Sequence, residues 1–314
     1  MKTDTSEKGL EALIVAGMTG NAALFAPGDG SLTPASTGAW LAGDPAAYDR
    51  AWTVDLVQLH AFIAATQPPL VAALDLPNDS PTRQKFLARL QGEVGKRGVI
   101  DVLRHGIKHG QHDVDLFYGT PSPGNQKAAQ RFAQNRFSVT RQLRYSRDDT
   151  AHALDLALFI NGLPIATFEL KNSLTKQTVE DAVEQYKRDR DPREKLFEFG
   201  RCIVHFAVDD AQVMFCTQLK GKASWFLPFN KGFNDGAGNP PNAGGLRTDY
   251  LWKDILTLKG LTDIIENYAQ IVERRDAKTG RVKRDQLFPR FHQLDVVRKL
   301  LADAQHERTP AGAC

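Results

Sequence analysis

Two apolar runs near the middle of the chain form its strongest pattern. Residues 154–160 and 165–170 are rich in β-branched and aromatic side chains, and the turn pair Asn161-Gly162 lies between them. Runs of this kind around an Asn-Gly pair are typical of two strands joined by a tight turn. The stretch predicts a β-hairpin, and we expect the rest of the fold to be arranged around it.

Helical spacing appears on both sides of this hairpin. Val179, Ala182, Val183 and Tyr186 recur at i, i+3, i+4 and i+7, which predicts an amphipathic helix over about 175–190. Further helices are expected at 5–16, at 48–66, after the Ser80-Pro81 start signal, and at 101–105; short strands are expected at 112–118, 202–208, 212–217 and 224–229. The pattern therefore indicates an α/β fold with a mixed sheet, flanked by the first helix and the 175–190 helix, and a mainly helical insertion at about 50–106.

Two segments lack a sustained period. Residues 21–49 are rich in Gly, Pro, Ala, Ser and Thr, and we interpret them as a loop or irregular insert; residues 233–247 are rich in Gly, Asn and Pro, as in a linker or long loop. Beyond them, 251–268 has a helical pattern, and 272–290 is a basic stretch. These features suggest domain boundaries at 1–232, 233–250 and 251–314.

Three ionisable residues interrupt the apolar background of the hairpin. Asp155 opens the first strand, and Glu169 and Lys171 close the second. The hairpin would bring Asp155 and Glu169 to the same end of the sheet. Two carboxylates with a lysine beside them suit hydrolysis of a phosphodiester, because the carboxylates can bind Mg²⁺ and the lysine can orient water or stabilise developing charge. The alternative is a salt bridge at a strand end.

Composition permits a polyanionic partner without requiring one. The net charge is +3 and the isoelectric point is near 8.7. No apolar run approaches the ~20 residues of a membrane span, and no signal segment begins the chain, so we expect a cytoplasmic protein without a membrane partner.

A basic stretch lies immediately before the acidic residues of the hairpin. Five arginines and no carboxylate occur between Lys127 and Arg147. Arg136, Arg141 and Arg144 are candidates for contact with the phosphates of DNA, as are Lys187 and Arg188 on the following helix. The alternative is a solvated basic surface.

Weaker metal candidates occur between residues 105 and 115. His105, His109 and His112 have a suggestive spacing, but glycines interrupt the helix that would align them, so we interpret them as loop histidines. Asp113 and Asp115 share a strand face, but no Glu-x-Lys pair follows within the reach of a hairpin.

An Asp at the start of one strand and a Glu-x-Lys at the end of the next resemble the core of PD-(D/E)xK nucleases, with Leu154 where that superfamily often has Pro. The words NRFSVTRQLRYS, NGLPIATFELKNS and GRCIVHFAVDDAQVMFCT resemble, in this order, the amino-terminal nuclease region of the restriction (R) subunit of type I restriction enzymes. The resemblance implies a restriction-endonuclease-like sheet and the activity of a type I site-specific deoxyribonuclease.

The same resemblance implies cofactors, partners and further residues. Mg²⁺ would serve cleavage of double-stranded DNA, ATP would be needed by the full-length enzyme only, and methylation and specificity subunits would choose the site. An acidic residue on the first helix would join Asp155 and Glu169 at the metal, and Glu7 is the match, with Glu11 as its substitute. Tyr186 matches the Tyr of a Q-x-x-x-Y word, in which Ala182 replaces the Gln.

The end of the chain resembles the start of a helicase-like motor. LFPRFHQLDVVRKLLAD is similar to the segment in which superfamily 2 helicases place an adenine-reading Gln, and Gln293 is the matching residue. An amphipathic helix without any nucleotide is the alternative. The sequence contains no G-x-x-x-x-G-K-[ST] loop, so we expect residues 251–314 to be the start of a truncated motor domain, without an ATPase.

A hypothesis from another functional class stays open on the sequence alone. The basic face could dock DNA while the carboxylates only pair with Lys171, which would make the chain a non-catalytic DNA-binding or assembly module.

Overall fold

The central sheet of the computed structural model is mixed, and its strands follow the order β1-β6-β7-β8-β9-β10-β11. The structure describes residues 7–21, 40–148, 152–172, 175–276 and 279–308, without the side chains of residues 7, 8 and 305–308. The strands of this sheet are β1 Leu41–Gly43, β6 Phe137–Arg144, β7 Ala153–Ile160, β8 Leu163–Leu170, β9 Val204–Val208, β10 Val213–Cys216 and β11 Leu227–Pro228. The pairs β1-β6 and β8-β9 are parallel and the other neighbours are antiparallel. This architecture confirms the predicted α/β fold and is consistent with a restriction-endonuclease-like sheet.

Three two-stranded ribbons and the helices complete the described part of the chain. The ribbons are β2 Tyr48–Asp49 with β3 Val54–Asp55, β4 Ile107–His109 with β5 His112–Val114, and β12 Gln270–Arg275 with β13 Val282–Leu287. The α-helices are α1 Glu7–Thr19, α2 Leu56–Thr66, α3 Pro68–Leu74, α4 Pro81–Arg97, α5 Val99–His105, α6 Gln126–Ala133, α7 Val179–Arg188, α8 Leu258–Asp263 and α9 Phe291–Arg308; π-helical turns at Leu251–Ile255 and Ile264–Tyr268 flank α8. Within the described ranges, no helix is both long and apolar enough to cross a bilayer.

The hairpin predicted from the Asn-Gly pair is present as β7 and β8. Asn161 and Gly162 have φ angles of 51° and 84°, both in the left-handed region that a type I′ turn requires. Asn161 is buried; its side chain accepts from the Arg136 N–H at 2.6 Å and donates to the Leu116 carbonyl at 2.9 Å. The turn is thus bonded to its surroundings as well as within the hairpin.

Two apolar clusters cover the faces of the sheet. Leu156, Leu158 and Phe168 face a large cluster that includes residues of α1 and of the helical insertion. Ala157 and Phe159 face a smaller cluster with Tyr186 and the other predicted stripe residues of α7. Both helices flank the hairpin, as predicted, and the structure places them on opposite faces.

Several element predictions were wrong in detail. The segment 21–49 is not wholly irregular, because β1 pairs with β6 and forms an edge of the sheet. The basic stretch 272–290 contains the β12-β13 ribbon, and 251–268 is a short α-helix between π-helical turns rather than one helix. Residues 251–265 also contribute side chains to the large cluster, including Trp252 against Gly17 of α1; the proposed domain boundaries stay a prediction.

Candidate active site

The acidic residues of the hairpin lie at the same end of two neighbouring strands. The β7-β8 register pairs Leu156 with Phe168, so Asp155 and Glu169 are each one residue beyond this pair. There the Leu170 N–H donates to Oδ2 of Asp155 at 2.7 Å, which links the Asp155 side chain directly to β8. This is the arrangement that the sequence predicted for a shared site.

The regular alternation of side chains ends at Asp155. On β6, Arg141 pairs with Leu156 and Leu143 with Leu154, whereas Gln142 between them has a left-handed φ of 49°. Leu156 belongs to the cluster beside α1, but Leu154, two residues away, belongs to the cluster beside α7. Irregularities of this kind change the direction in which side chains point at the ends of strands. The irregularity at Gln142 lies opposite Asp155.

Glu169 is fully buried and forms an ion pair that the sequence analysis missed. Arg190, only 3% exposed, donates through Nε to Oε1 of Glu169 at 2.6 Å. Arg190 also donates to the Ala153 carbonyl at 2.8 Å and lies over the ring of Tyr145. The guanidinium is therefore fixed between the first residue of β7 and the end of β8.

The other carboxylate oxygen of Glu169 is not satisfied. Among the described residues, Oε2 is buried and has no hydrogen-bond partner. Burial raises the pKa of Glu169, the charges of Arg190 and Lys171 lower it, and that of Asp155 raises it. A buried carboxylate oxygen is costly to leave without a donor or cation, so Oε2 is a vacant acceptor.

Lys171 lies beside this carboxylate. Its side chain is buried, and its backbone N–H donates to the Val208 carbonyl at 2.9 Å, which fixes the residue after the end of β8. The charges of Lys171 and Asp155 both act on the Glu169 carboxyl. The three residues singled out from the sequence are thus electrostatically coupled at the end of one hairpin.

The donor set fits Mg²⁺ better than a softer metal. Asp155 and Glu169 offer hard oxygens, and Mg²⁺ in proteins is bound through one or two carboxylates together with water and phosphate oxygens. No group of three or more His, Cys, Asp or Glu residues within the described part of the chain could hold a metal ion.

Tyr186, predicted as an accessory residue, lies in a buried row of polar groups. Its hydroxyl is 2.8 Å from Oγ1 of Thr167, which in turn is 2.7 Å from Nδ1 of His205. Burial lowers the pKa of His205 to about 3. With a neutral imidazole, Tyr186 can donate to Thr167 and Thr167 can donate to His205, so all three groups are satisfied.

This buried histidine should make the fold sensitive to acid. Because the folded-state pKa of about 3 lies below the ordinary value of 6.5, the unfolded chain binds the proton more tightly, and stability falls as the pH drops below 6.5. We expect His205 to account for a loss of about 2 kcal/mol between pH 7 and pH 5. Denaturant unfolding of wild type and His205→Gln at both pH values measures this difference, with exposed His152→Gln as the control. Equal pH dependence of all three proteins would contradict the assignment.

Two acidic residues of α1 were predicted as metal ligands, and only one of their side chains is described by the structure. The side chain of Glu7 lies outside the described residues. Glu11 is buried, forms an ion pair with Arg141, and accepts from Nε2 of Gln142 at 2.6 Å. The side chains of Glu11 and Arg141, predicted as a substitute metal ligand and a DNA contact, are therefore bonded to each other.

The other basic candidates differ in how much of their charge is available. Arg136 is half-buried and donates to Oε1 of Gln58 at 2.6 Å. Lys187 and Arg188 both pair with Glu184, at 3.4 Å and 2.8 Å. Arg144 is exposed at the end of β6. Of these candidates, Arg144 offers the charge least engaged by the protein.

The remaining candidates lie away from the hairpin. Gln293 is exposed at the start of α9, where its Oε1 accepts from the Arg290 N–H at 3.0 Å. His109 and His112 face each other across the β4-β5 ribbon, and His105 bonds to Asp101. Exposed Asp113 is 3.8 Å from Lys108.

A mixed sheet with helices on both faces is consistent with a restriction-endonuclease-like fold. Residues 109–224 match the family model described as "Type I restriction enzyme R protein N terminus". This match, over residues 109–224, confirms the resemblance found in the sequence. The matched range contains Asp155, Glu169, Lys171 and Arg190. No curated protein matches the chain.

Proposed function

We propose that this chain is the Mg²⁺-dependent endonuclease region of a type I restriction enzyme R subunit. It would cleave double-stranded DNA within an ATP-dependent complex that includes methylation and specificity subunits. The observation that carries the proposal is the buried, unpartnered Oε2 of Glu169 beside Asp155, inside the range that matches the family.

Each residue of the site has a role in this proposal. Asp155 and Glu169 would hold Mg²⁺, which supplies an activated water and offsets charge on the phosphate. Lys171 orients the attacking water or stabilises the charge that develops on the phosphate oxygens. Arg190 fixes the Glu169 carboxylate through Oε1 and leaves Oε2 for the cation. Tyr186 supports this face of the sheet from α7.

Exposed cations near the hairpin supply the proposed contact with DNA. Arg144, at the end of β6, is the best placed of the predicted group, and Lys187 and Arg188 follow on α7. Phosphate contacts of this kind position a duplex without reading its sequence, which agrees with the assignment of site choice to another subunit.

One observation favours the second candidate, a non-catalytic DNA-binding or assembly module. The Arg190–Glu169 ion pair is almost completely buried, and a carboxylate that only completes such a pair needs no metal. The two functions differ in whether the hairpin binds a divalent cation.

Titration with Mn²⁺ distinguishes them. The purified chain is expected to bind Mn²⁺ at a site that Asp155→Asn weakens by at least about tenfold, because half of the protein ligands are lost. Asp113→Asn is the matched control, since Asp113 is an exposed acid that pairs only with Lys108 across a ribbon. Calorimetry or the electron paramagnetic resonance signal of free Mn²⁺ gives the affinity.

Two results would contradict the nuclease proposal. Absence of a Mn²⁺ site in the folded wild-type chain would favour the non-catalytic module. Equal weakening by Asp155→Asn and Asp113→Asn would mean that the cation binds the acidic surface as a whole rather than the end of the hairpin.

A further inference from the structure

The β12-β13 ribbon has one face attached to the protein and one face in solvent. On the attached face, Ile271 packs against the core, and buried Gln286 donates to the carbonyls of Cys202 and Ile203 at 2.8 Å and 2.7 Å. On the same face Arg284 lies over the ring of Phe199. These contacts fix the base of the ribbon beside the start of β9.

The solvent face of the ribbon is basic. Arg274 lies opposite Lys283 on the neighbouring strand, and their side chains are 71% and 70% exposed. Both approach Asp285 on the same face, at 3.9 Å and 3.1 Å, so three cations (with Arg281) share this face with one carboxylate. Arg281, two residues before Lys283, is also exposed, and its carbonyl accepts a hydrogen bond from the Asp276 N–H. Residues 270–287 contain six basic and three acidic residues, an excess equal to the net charge of +3 of the whole chain. The segment that forms this ribbon is therefore one of the basic parts of the chain.

An exposed tryptophan lies next to the base of the ribbon. Trp225 is 75% exposed, and a cleft of about 170 Å³ is lined both by Trp225 and Lys220 and by Asp285 and Gln286 of β13. Lys222 is exposed in the same loop. The indole is therefore open to a ligand, with two exposed lysines in its own loop.

We propose that the solvent face of the β12-β13 ribbon and Trp225 form a binding surface for single-stranded nucleic acid. Arg274, Arg281 and Lys283 contact successive phosphates, and an unpaired base stacks on the indole of Trp225. Aromatic platforms beside a basic track are the usual means of binding single strands, since every base offers a face for stacking. This inference rests on no part of the proposed nuclease.

A single strand fits this surface better than the alternatives. In a duplex the base faces are already stacked, so the ring of Trp225 would have no partner unless the duplex opened. An acidic protein would satisfy the lysines and arginines but gives no reason for an exposed indole between them. Only a ligand that carries both phosphates and an accessible base face would contact the basic side chains and the indole of Trp225 together.

The intrinsic fluorescence of the protein gives a direct test. Of the four tryptophans, Trp40 and Trp252 are buried and Trp52 is partly buried, so quenching by a ligand reports chiefly on Trp225. In EDTA, oligothymidylate is expected to quench the emission, and a blunt duplex of equal length is expected to bind more weakly without quenching. Trp225→Ala should lower the affinity for a labelled oligothymidylate roughly tenfold in an anisotropy assay.

The phosphate contacts are tested by salt dependence. The double variant Arg274→Gln/Lys283→Gln should reduce the slope of log affinity against log salt by about 1.4, because two contacts to a single strand are lost. Lys85→Gln/Lys96→Gln, which removes two exposed charges from α4, is the control and should leave the slope unchanged. Thermal unfolding verifies that each variant is folded. Unchanged affinity of Trp225→Ala, equal slopes for the two double variants, or equal quenching by duplex would each overturn the proposal.

Discussion

Replacing Lys171 with alanine is expected to abolish DNA cleavage by the assembled restriction complex and to leave its ATP hydrolysis near the wild-type rate. Lys171 is the cation that acts on the Glu169 carboxyl from the end of β8. Removing a group that stabilises developing charge typically lowers a rate by at least about 100-fold. The measurement is cleavage of a circular duplex in the presence of Mg²⁺ and ATP, with phosphate release followed in the same reaction.

The control must separate this effect from a loss of folding, because Lys171 is buried rather than exposed at the rim of a cleft. Lys171→Met keeps most of the side-chain volume and removes the charge, and it should be as inactive as the alanine variant. Lys108→Ala, on β4, removes an exposed lysine that pairs with Asp113 across a ribbon and should retain activity. Cleavage at the wild-type rate by a folded Lys171→Met protein would show that the lysine has no catalytic role.

Replacing Arg190 with methionine is expected to destabilise the isolated chain by about 3 kcal/mol or more. The substitution leaves the carboxylate of Glu169, which is fully buried, without its ion-pair partner, and removal of one member of a buried pair typically costs about 3–5 kcal/mol. Denaturant unfolding at pH 7 measures the change in the free energy of unfolding.

Arg193 offers a matched control three residues away. Its side chain is 88% exposed and pairs with Asp191 at 2.6 Å. Exposed pairs of this kind contribute between 0 and about 1 kcal/mol, so Arg193→Met should have little effect. Similar losses for the two variants would mean that Glu169 does not depend on Arg190, and the pairing described for the site would be wrong.

The hairpin and its turn could be predicted from the sequence because their determinants are local. Asn161 and Gly162 adopt left-handed backbone angles at low cost, and the apolar runs on either side then pair in register. The Ser80-Pro81 signal likewise defined the start of α4, where the Ser80 side chain accepts from the Arg83 N–H. In both cases the relevant residues lie within a few positions of one another.

The partners of the charged side chains could not be predicted in this way. Arg190 and Glu169 are 21 residues apart, and their contact depends on how the chain leaves α7 and returns to the end of β8. Glu11 and Arg141 are 130 residues apart, and each was considered separately for another role. The pattern of charges along the sequence does not predict such pairs, because it does not show which distant elements pack together.

The basic segment 272–290 shows a different reason for error. Its charges suppress the apolar alternation by which strands are recognised, since the solvent face of the ribbon carries Arg274 and Lys283 and the attached face carries Gln286. A polar side chain such as Gln286, bonded to backbone carbonyls, replaces the apolar residue that a strand pattern normally contains.

The close contact at the tip of the hairpin has a consequence for the order of folding. A Cβ at Gly162 would lie 2.4 Å from the Asp55 carbonyl oxygen and 2.8 Å from the Leu59 nitrogen, and the Asp55 N–H donates to the Gly162 carbonyl. Asp55 caps the start of α2, so the first helix of the insertion acquires this support only after a segment about 100 residues later has been synthesised. Because contacts between distant segments form slowly, we expect the insertion to complete its packing only once the hairpin has formed.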